Sequence, residues 1–185
     1  MKKLFCLTFS LLFFITSFAQ SDVAKFVGIP LKQSKDIFIK ELINKGFSYK
    51  GKKDVVEEKC DAISLIGKFW KFETCEATVA YSVKSDSVVY VSVFVNDYTS
   101  NRFLFRELMD NLDLKYGPRT LINEDEYETE YRWLSEQKSY MVQVAKVYLP
   151  SVDIDFISIR YYSEEETQNI LKKELSDWKS DFDDL

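Results

Sequence analysis

The order of helix and strand patterns constrains the fold of this chain most strongly. Apolar residues at helical spacing predict one helix over residues 35–45 and a second over about 101–115. Ser34 is the predicted N-cap of the first helix, and Gly46 and Gly117 follow the two helices as stop signals. The first helix is expected to pack on the core through Ile39, Leu42 and Ile43.

Each predicted helix is followed by three runs rich in β-branched and aromatic residues, which predict strands. The six predicted strands cover residues 63–72, 77–83, 88–95, 126–134, 140–149 and 152–162. A last helix, over about 164–180, is predicted from the capping box that begins at Ser163 and from the apolar residues after it.

The repeated order indicates an internal duplication of two α-β-β-β units, over about 33–97 and 100–162. Three pairs of similar residues in the two units are separated by 63 to 66 residues. The pairs are Leu42 with Leu108, Trp70 with Trp133, and Val91 with Phe156. The predicted fold is α+β, with one antiparallel sheet of about six strands, helices on one face, and a C-terminal helix. The alternative is that short α+β segments resemble one another without being repeats.

The first nineteen residues have the pattern of a secretory signal peptide. Lys2 and Lys3 precede an uncharged run over residues 4–18, and Ser17-Phe18-Ala19 has the small-x-small pattern of a cleavage site. The apolar run is shorter than the about 20 residues that a membrane-spanning helix needs. We therefore expect an exported protein, periplasmic or extracellular, whose single globular domain begins at Gln20 and has no membrane span.

Composition argues against several functional classes. The formal net charge is −5, and no cluster of basic residues interrupts the acidic balance, so we expect no nucleic-acid partner. The chain contains no histidine, which removes Ser-His and Cys-His catalytic pairs and histidine-based metal sites. It has only five glycines and no glycine-rich phosphate loop, and no cofactor, metal site or catalytic group is predicted.

Two cysteines, Cys60 and Cys75, remain after removal of the signal segment. An even pair of cysteines in an oxidising compartment favours a disulfide. The alternative is two buried thiols, because sequence alone does not fix the distance between the two side chains.

The segment Phe26-Val27-Gly28-Ile29-Pro30-Leu31, with the Lys45-Gly46-Phe47 step that follows, resembles the opening of small secreted proteins of gut and oral Bacteroidota. The duplicated α-β-β-β order is similar to the topology of the β-lactamase inhibitor protein fold, in which a concave sheet grips a partner protein. The first resemblance implies export and the second implies binding of a protein. Neither supplies catalytic residues, and a similar fold does not establish function.

The third predicted strand carries the candidate partner surface. Its valines at odd positions are expected to face the helices, so Tyr90, Ser92 and Phe94 are expected on the opposite face, together with Trp70 and Phe72. Half-exposed aromatic residues dominate protein interfaces, which makes this group a candidate binding surface. The alternative is that the N-terminal segment or residues 147–150 cover this face.

Carboxylates offer an alternative chemistry, since glycoside hydrolysis needs only two acids. The candidate acids are Glu124, Asp125, Glu126, Glu128, Glu130, Asp153 and Asp155. Acids of the fourth strand alternate with Tyr127, Thr129, Tyr131 and Trp133, and this period of two favours a solvated strand face. We therefore expect a non-enzymatic binding or protein-interaction module, with a small glycan or cell-wall hydrolase and a structural homodimer as the alternatives.

Overall fold

A computed structural model describes residues 24–54, 60–96 and 98–183, with side chains from 101 to 176 in the last range. The predicted signal segment, residues 1–19, lies outside the described residues. The strands are β1 (Lys25–Phe26), β2 (Ile29–Pro30), β3 (Ser48–Lys53), β4 (Cys60–Phe69), β5 (Phe72–Ser82), β6 (Val88–Asn96), β7 (Thr120–Glu124), β8 (Glu128–Leu134), β9 (Met141–Leu149) and β10 (Ile154–Tyr162). The helices are α1 (Lys35–Asn44), α2 (Tyr98–Tyr116) and α3 (Glu164–Asp183). None of the helices in this part of the chain has the length and apolar character needed to cross a membrane.

The structure confirms an α+β fold with one large antiparallel sheet and a C-terminal helix. The sheet has eight strands in the order β3-β4-β5-β6-β10-β9-β8-β7, where the sequence predicted about six. The two additional strands, β3 and β7, form the edges and carry mostly exposed side chains. Neither strand was predicted, because an edge strand with little buried surface shows no alternation of apolar and polar residues.

Each half of the chain consists of a helix followed by a four-stranded meander, and the last strands of the two meanders, β6 and β10, pair at the centre of the sheet. β10 begins 66 residues after β6 begins (154 − 88). Leu108 likewise lies 66 residues after Leu42 (108 − 42). The other two pairs from the sequence do not occupy matching places. Trp70 lies in a turn whereas Trp133 is buried within β8, and Phe156 faces away from the core that contains Val91.

One sheet face, which we call the core face, carries the main hydrophobic core. Strand residues such as Val93 and Ile159 pair across β6 and β10 and belong to the same core as α2 residues Leu108, Met109 and Leu112. α1 contributes Phe38 and Leu42 to the same core. The predicted α1 stripe was partly wrong, because Ile43 is exposed and Phe38 takes its place.

Ser34 occupies the N-cap position of α1, but its side chain makes no capping hydrogen bond. Its backbone instead forms a β-bridge with Ser87, and the Lys35 amide donates to the Asp86 carbonyl. This docking onto the β5–β6 turn fixes the start of α1, so a tertiary contact replaces the side-chain cap.

The N-terminal Phe26–Leu31 segment is a hairpin of β1 and β2 with a two-residue turn at Val27-Gly28. Both turn residues have positive φ, 45° and 84°, which suits glycine but is unusual for valine. The Phe26 ring is fully buried and lies 5.5 Å from the Phe69 ring and 5.6 Å from the Tyr161 ring. The hairpin therefore closes the core at one end of the sheet.

α3 packs against the sheet face opposite to α1 and α2. Its predicted cap is present, with the Glu166 amide donating to Ser163 Oγ at 3.4 Å. Arg132 donates two hydrogen bonds, of 2.9 and 2.7 Å, to the Glu174 carboxylate. Because Arg132 pairs with Gln143 on the face away from the core, this bidentate contact places α3 over that face.

The predicted disulfide between Cys60 and Cys75 is wrong. Cys60 pairs with Ser82 across β4 and β5, whereas Cys75 pairs with Gly67, near the opposite end of β4. At the usual rise per residue of a strand this separates the two cysteines by roughly 23 Å, beyond the about 7 Å between Cα atoms that a disulfide tolerates. Cys75 is buried, and burial raises the pKa of its thiol to about 11.

We predict that the two cysteines differ in reactivity in the native protein. Cys60 is only half-buried, whereas the buried Cys75 thiol with its raised pKa is almost entirely protonated at pH 8. Iodoacetamide at pH 8 should therefore alkylate Cys60 and leave Cys75 unmodified until urea is added. Peptide mass spectrometry checks this result, and a Cys60–Cys75 cross-linked peptide in the unreduced digest would contradict it.

Candidate functional site

The sheet face opposite the core, which we call the polar face, carries a row of polar side chains that crosses the strands. Strand register places the members of this row side by side, one from each of six neighbouring strands. They are Ser64, Thr78, Ser92, Arg160, Gln143 and Arg132. Since directly paired residues of an antiparallel sheet point to the same face, these side chains form one continuous polar band.

Three hydroxyl groups at the centre of the polar face have no hydrogen-bond partner among the described residues. They belong to Thr78, Ser92 and Ser158, which are exposed by only 4%, 4% and 5%. A buried polar group without a partner costs about 1–3 kcal/mol of stability. Ser92 and Ser158 are the middle residues of β6 and β10, so both halves of the chain contribute to this cluster.

Two half-buried phenylalanines lie beside these hydroxyls. Phe94 pairs with Ser158 across the β6–β10 junction, and its ring lies 6.0 Å from the ring of Phe156. Both rings line two neighbouring cavities, of about 580 Å³ towards β4 and about 110 Å³ towards β8. The two cavities form a groove across the polar face, with the phenylalanine pair at its middle.

On the β4 side of the groove, the Glu76 carboxylate accepts three side-chain hydrogen bonds. Glu76 accepts hydrogen bonds from Lys50 Nζ at 2.6 Å, Lys53 Nζ at 2.9 Å and Ser64 Oγ at 2.9 Å. The bond from Lys50 is the main cause that lowers the pKa of Glu76 to about 2. Lys53 also lies over the Phe94 ring, 5.1 Å from its centroid. This network therefore positions the phenylalanine pair from one side.

The β8 side of the groove is lined by Glu128, Glu130, Gln143 and Arg160. Burial raises the pKa of Glu130, although Arg132 and Arg160 oppose the shift. The Tyr162 hydroxyl donates to Gln143 Oε1 at 2.7 Å and holds the amide in place. This end of the groove thus presents two acids and one arginine around a small cavity.

The structure places three residues of the predicted partner surface together and separates the other two from them. Tyr90, Ser92 and Phe94 lie on the polar face, as β6 alternation predicted. Phe72 is only 2% exposed and belongs to the main core. Trp70 lies in the β4–β5 turn and lines a different cleft. The separation arises because the β4–β5 pairing shifts register between Gly67 and Phe69, a change that the sequence does not reveal.

Several groove residues were not identified from the sequence. Phe156, Ser158 and Arg160 belong to β10, and their contribution depends on the pairing of β10 with β6. Alternation within β10 would assign all three to one face, but only the strand order shows that this face adjoins Ser92 and Phe94.

The candidate acids are divided among different roles. Asp125 Oδ1 accepts the amides of Tyr127 and Glu128 and shapes the β7–β8 turn, and Asp153 Oδ1 accepts the Tyr148 hydroxyl at 3.0 Å. Of the seven candidate acids proposed from the sequence, Glu128 and Glu130 line the groove. The predicted alternation of β8 is present, with Trp133 buried on the core face, but its acidic face is half-buried rather than fully solvated.

Comparisons with protein-family models, with curated proteins and with solved structures give no match for this chain. Within residues 24–54, 60–96 and 98–183, no three histidine, cysteine, aspartate or glutamate side chains converge as metal ligands would.

We predict that Glu76 stabilises the fold in a pH-dependent manner. Its pKa is about 2 in the folded protein and near 4.5 in the unfolded chain, so its contribution is present above about pH 4.5 and is lost as the pH falls towards 2. In urea unfolding, the free-energy difference between wild type and Glu76→Gln should be largest near pH 6 and should shrink by pH 3. An equal difference at both pH values would refute this role, and Glu73→Gln, on the same strand but exposed, is the control.

Proposed function

We propose that this chain is an exported, non-enzymatic binding module that holds a protein partner in the groove of the polar face. The observation that carries the proposal is the cluster of three buried hydroxyls, without hydrogen-bond partners among the described residues, beside the half-buried pair of Phe94 and Phe156. Ser158 lines the smaller cavity of the groove, and a partner that hydrogen-bonds to it there would offset the cost of burying its hydroxyl. The signal-peptide pattern supports an envelope or extracellular partner.

The groove has the composition of a protein interface. Aromatic rings and arginine are the residues that most often supply binding energy, and Phe94, Phe156 and Arg160 lie together at the groove centre. Charged side chains surround them, with Lys50 and Lys53 on one side and two glutamates on the other. A complementary partner segment would place an apolar side chain on the two rings, a cation near the glutamates and an acid near the lysines.

We also infer that the two halves of the chain are repeats of an α-β-β-β-β unit. In both halves a helix is followed by four strands, and β6 and β10 have equal lengths. Under this inference the groove lies on the junction between the repeats, and Ser92 and Ser158 are equivalent residues. The Bacteroidota resemblance and the similarity to the β-lactamase inhibitor fold remain predictions of the same kind.

The experiment compares partner capture by the wild type and by Phe94→Ala. The chain from Gln20 is immobilised by its C-terminus and exposed to envelope and culture-medium extracts of its host. We predict that one or more retained proteins bind about ten-fold more weakly to Phe94→Ala, since truncating an interface aromatic costs about 1–3 kcal/mol. Titration of the purified partner by calorimetry gives the dissociation constants.

The matched control is Phe103→Ala, which removes an exposed phenylalanine from α2, away from the polar face. It should bind the partner like the wild type, and circular dichroism should show all three proteins folded. Equal binding by the folded Phe94→Ala variant and the wild type would refute the groove as the interface. If the wild type retained no protein at all, the proposal would also fail.

One observation favours a second candidate, a carboxylate-based glycan hydrolase. Glu128 and Glu130 line the same small cavity, and burial raises the pKa of Glu130, as a general acid requires. Under this alternative, the wild type should hydrolyse a member of a polysaccharide panel with a bell-shaped pH profile. Glu130→Gln should reduce the rate at least about a hundred-fold, whereas absence of hydrolysis across the panel by the folded wild type would exclude this activity for those substrates.

A further inference from the structure

A second concave site lies at the end of the sheet that the N-terminal hairpin closes. This Trp70 cleft, of about 560 Å³, is formed between the β1–β2 turn, the β4–β5 turn and the second half of α2. Its apolar lining includes Trp70, Leu108, Leu112 and Leu114, together with Val27, Phe69 and Tyr161. Its volume is in the range of small-molecule sites.

Two large apolar side chains of the cleft remain accessible to solvent. Leu114 of α2 is 87% exposed, and Trp70 is 37% exposed. Leu108 and Leu112 are buried below them. The apolar lining of the cleft therefore includes both core residues and exposed side chains, which an apolar ligand chain could cover.

The two turns that border the cleft hold strained residues at its rim. Val27 has φ of 45° and Trp70 has φ of 53°, and both side chains line the cleft. Positive φ is unfavourable for a β-branched or bulky residue and often marks a functional site. Glycine would adopt either backbone conformation without this cost. Val27 and Trp70 therefore occupy the rim in spite of an unfavourable φ angle.

The charged groups that line the cleft are cationic. Lys25 and Lys115 line it, and no aspartate or glutamate does so among the described residues. The Lys115 ammonium lies 4.7 Å from the centroid of the Tyr116 ring, and burial lowers its pKa. An anionic group bound in the cleft would favour the charged form of this lysine and would be attracted by both ammonium groups.

We propose that the Trp70 cleft binds an aliphatic carboxylate, with the alkyl chain along Trp70, Leu108, Leu112 and Leu114 and the carboxylate between Lys25 and Lys115. The apolar wall selects the chain, and the cationic lining selects a negative head group. The site is distinct from the polar-face groove and does not depend on the function proposed for it.

The probe is dodecanoate, with dodecanol as the neutral ligand of the same chain length. Calorimetry should show saturable binding of dodecanoate that is tighter than binding of dodecanol. Lys115→Gln should weaken dodecanoate about five-fold, the effect of one exposed charge pair, and should leave dodecanol unchanged. Lys115→Arg should retain the preference for the anion, and Lys40→Gln, an exposed lysine of α1, should bind like the wild type.

Trp70 reports the position of the ligand. Dodecanoate should change the tryptophan emission of the wild type, and the change should be lost in Trp70→Phe, which keeps an aromatic ring at the rim. Lys115 also lies in the last turn of α2, where a cation stabilises the helix, so the dodecanol measurement separates ligand recognition from a loss of stability. Equal affinities for the two ligands, no saturable binding, or an emission change that persists in Trp70→Phe would overturn the proposal.

Discussion

The pairing of β6 with β10 connects the two halves of the sheet and sets both the hydrophobic core and the polar face. It joins the two four-stranded halves through consecutive residue pairs that run from Phe156 with Asn96 to Tyr162 with Tyr90. On the core face it brings valines of β6 against Ile157 and Ile159, and burying each such side chain stabilises the fold by roughly 1.5–3 kcal/mol. The core therefore passes without interruption from one half of the chain to the other.

The same register determines the chemistry of the polar face. When the valines of β6 point into the core, period-two alternation turns Ser92 and Phe94 to the other side, where they meet Ser158 and Phe156 of β10. A shift by one residue would bury the serines in the apolar core and expose the valines. Burial of the β6 valines on the core face therefore also fixes the positions of the hydroxyls on the polar face. These hydroxyls have no hydrogen-bond partner among the described residues, and they are the basis of the proposed binding function.

The two concave sites use different parts of this architecture. The groove is formed by regular strands, so its side chains are spaced by the strand geometry and by the ion pairs around Glu76. The Trp70 cleft is formed by two tight turns and α2, and its shape depends on the unusual backbone of Val27 and Trp70. A rigid sheet face suits a protein surface, whereas a cleft between turns and a helix suits a small ligand.

The element types follow from the amino-acid sequence alone, because helical spacing and strand alternation are local properties. It predicted α2, the six strands with a buried face, the C-terminal helix and the common face of Tyr90, Ser92 and Phe94. It did not predict the edge strands β3 and β7, since strands with little buried surface leave no apolar pattern, nor the pairing of β6 with β10. Tertiary structure alone decided which strands are neighbours: the β4–β5 register separates Cys60 from Cys75, and the β6–β10 pairing assembles the groove from residues that lie far apart in the chain.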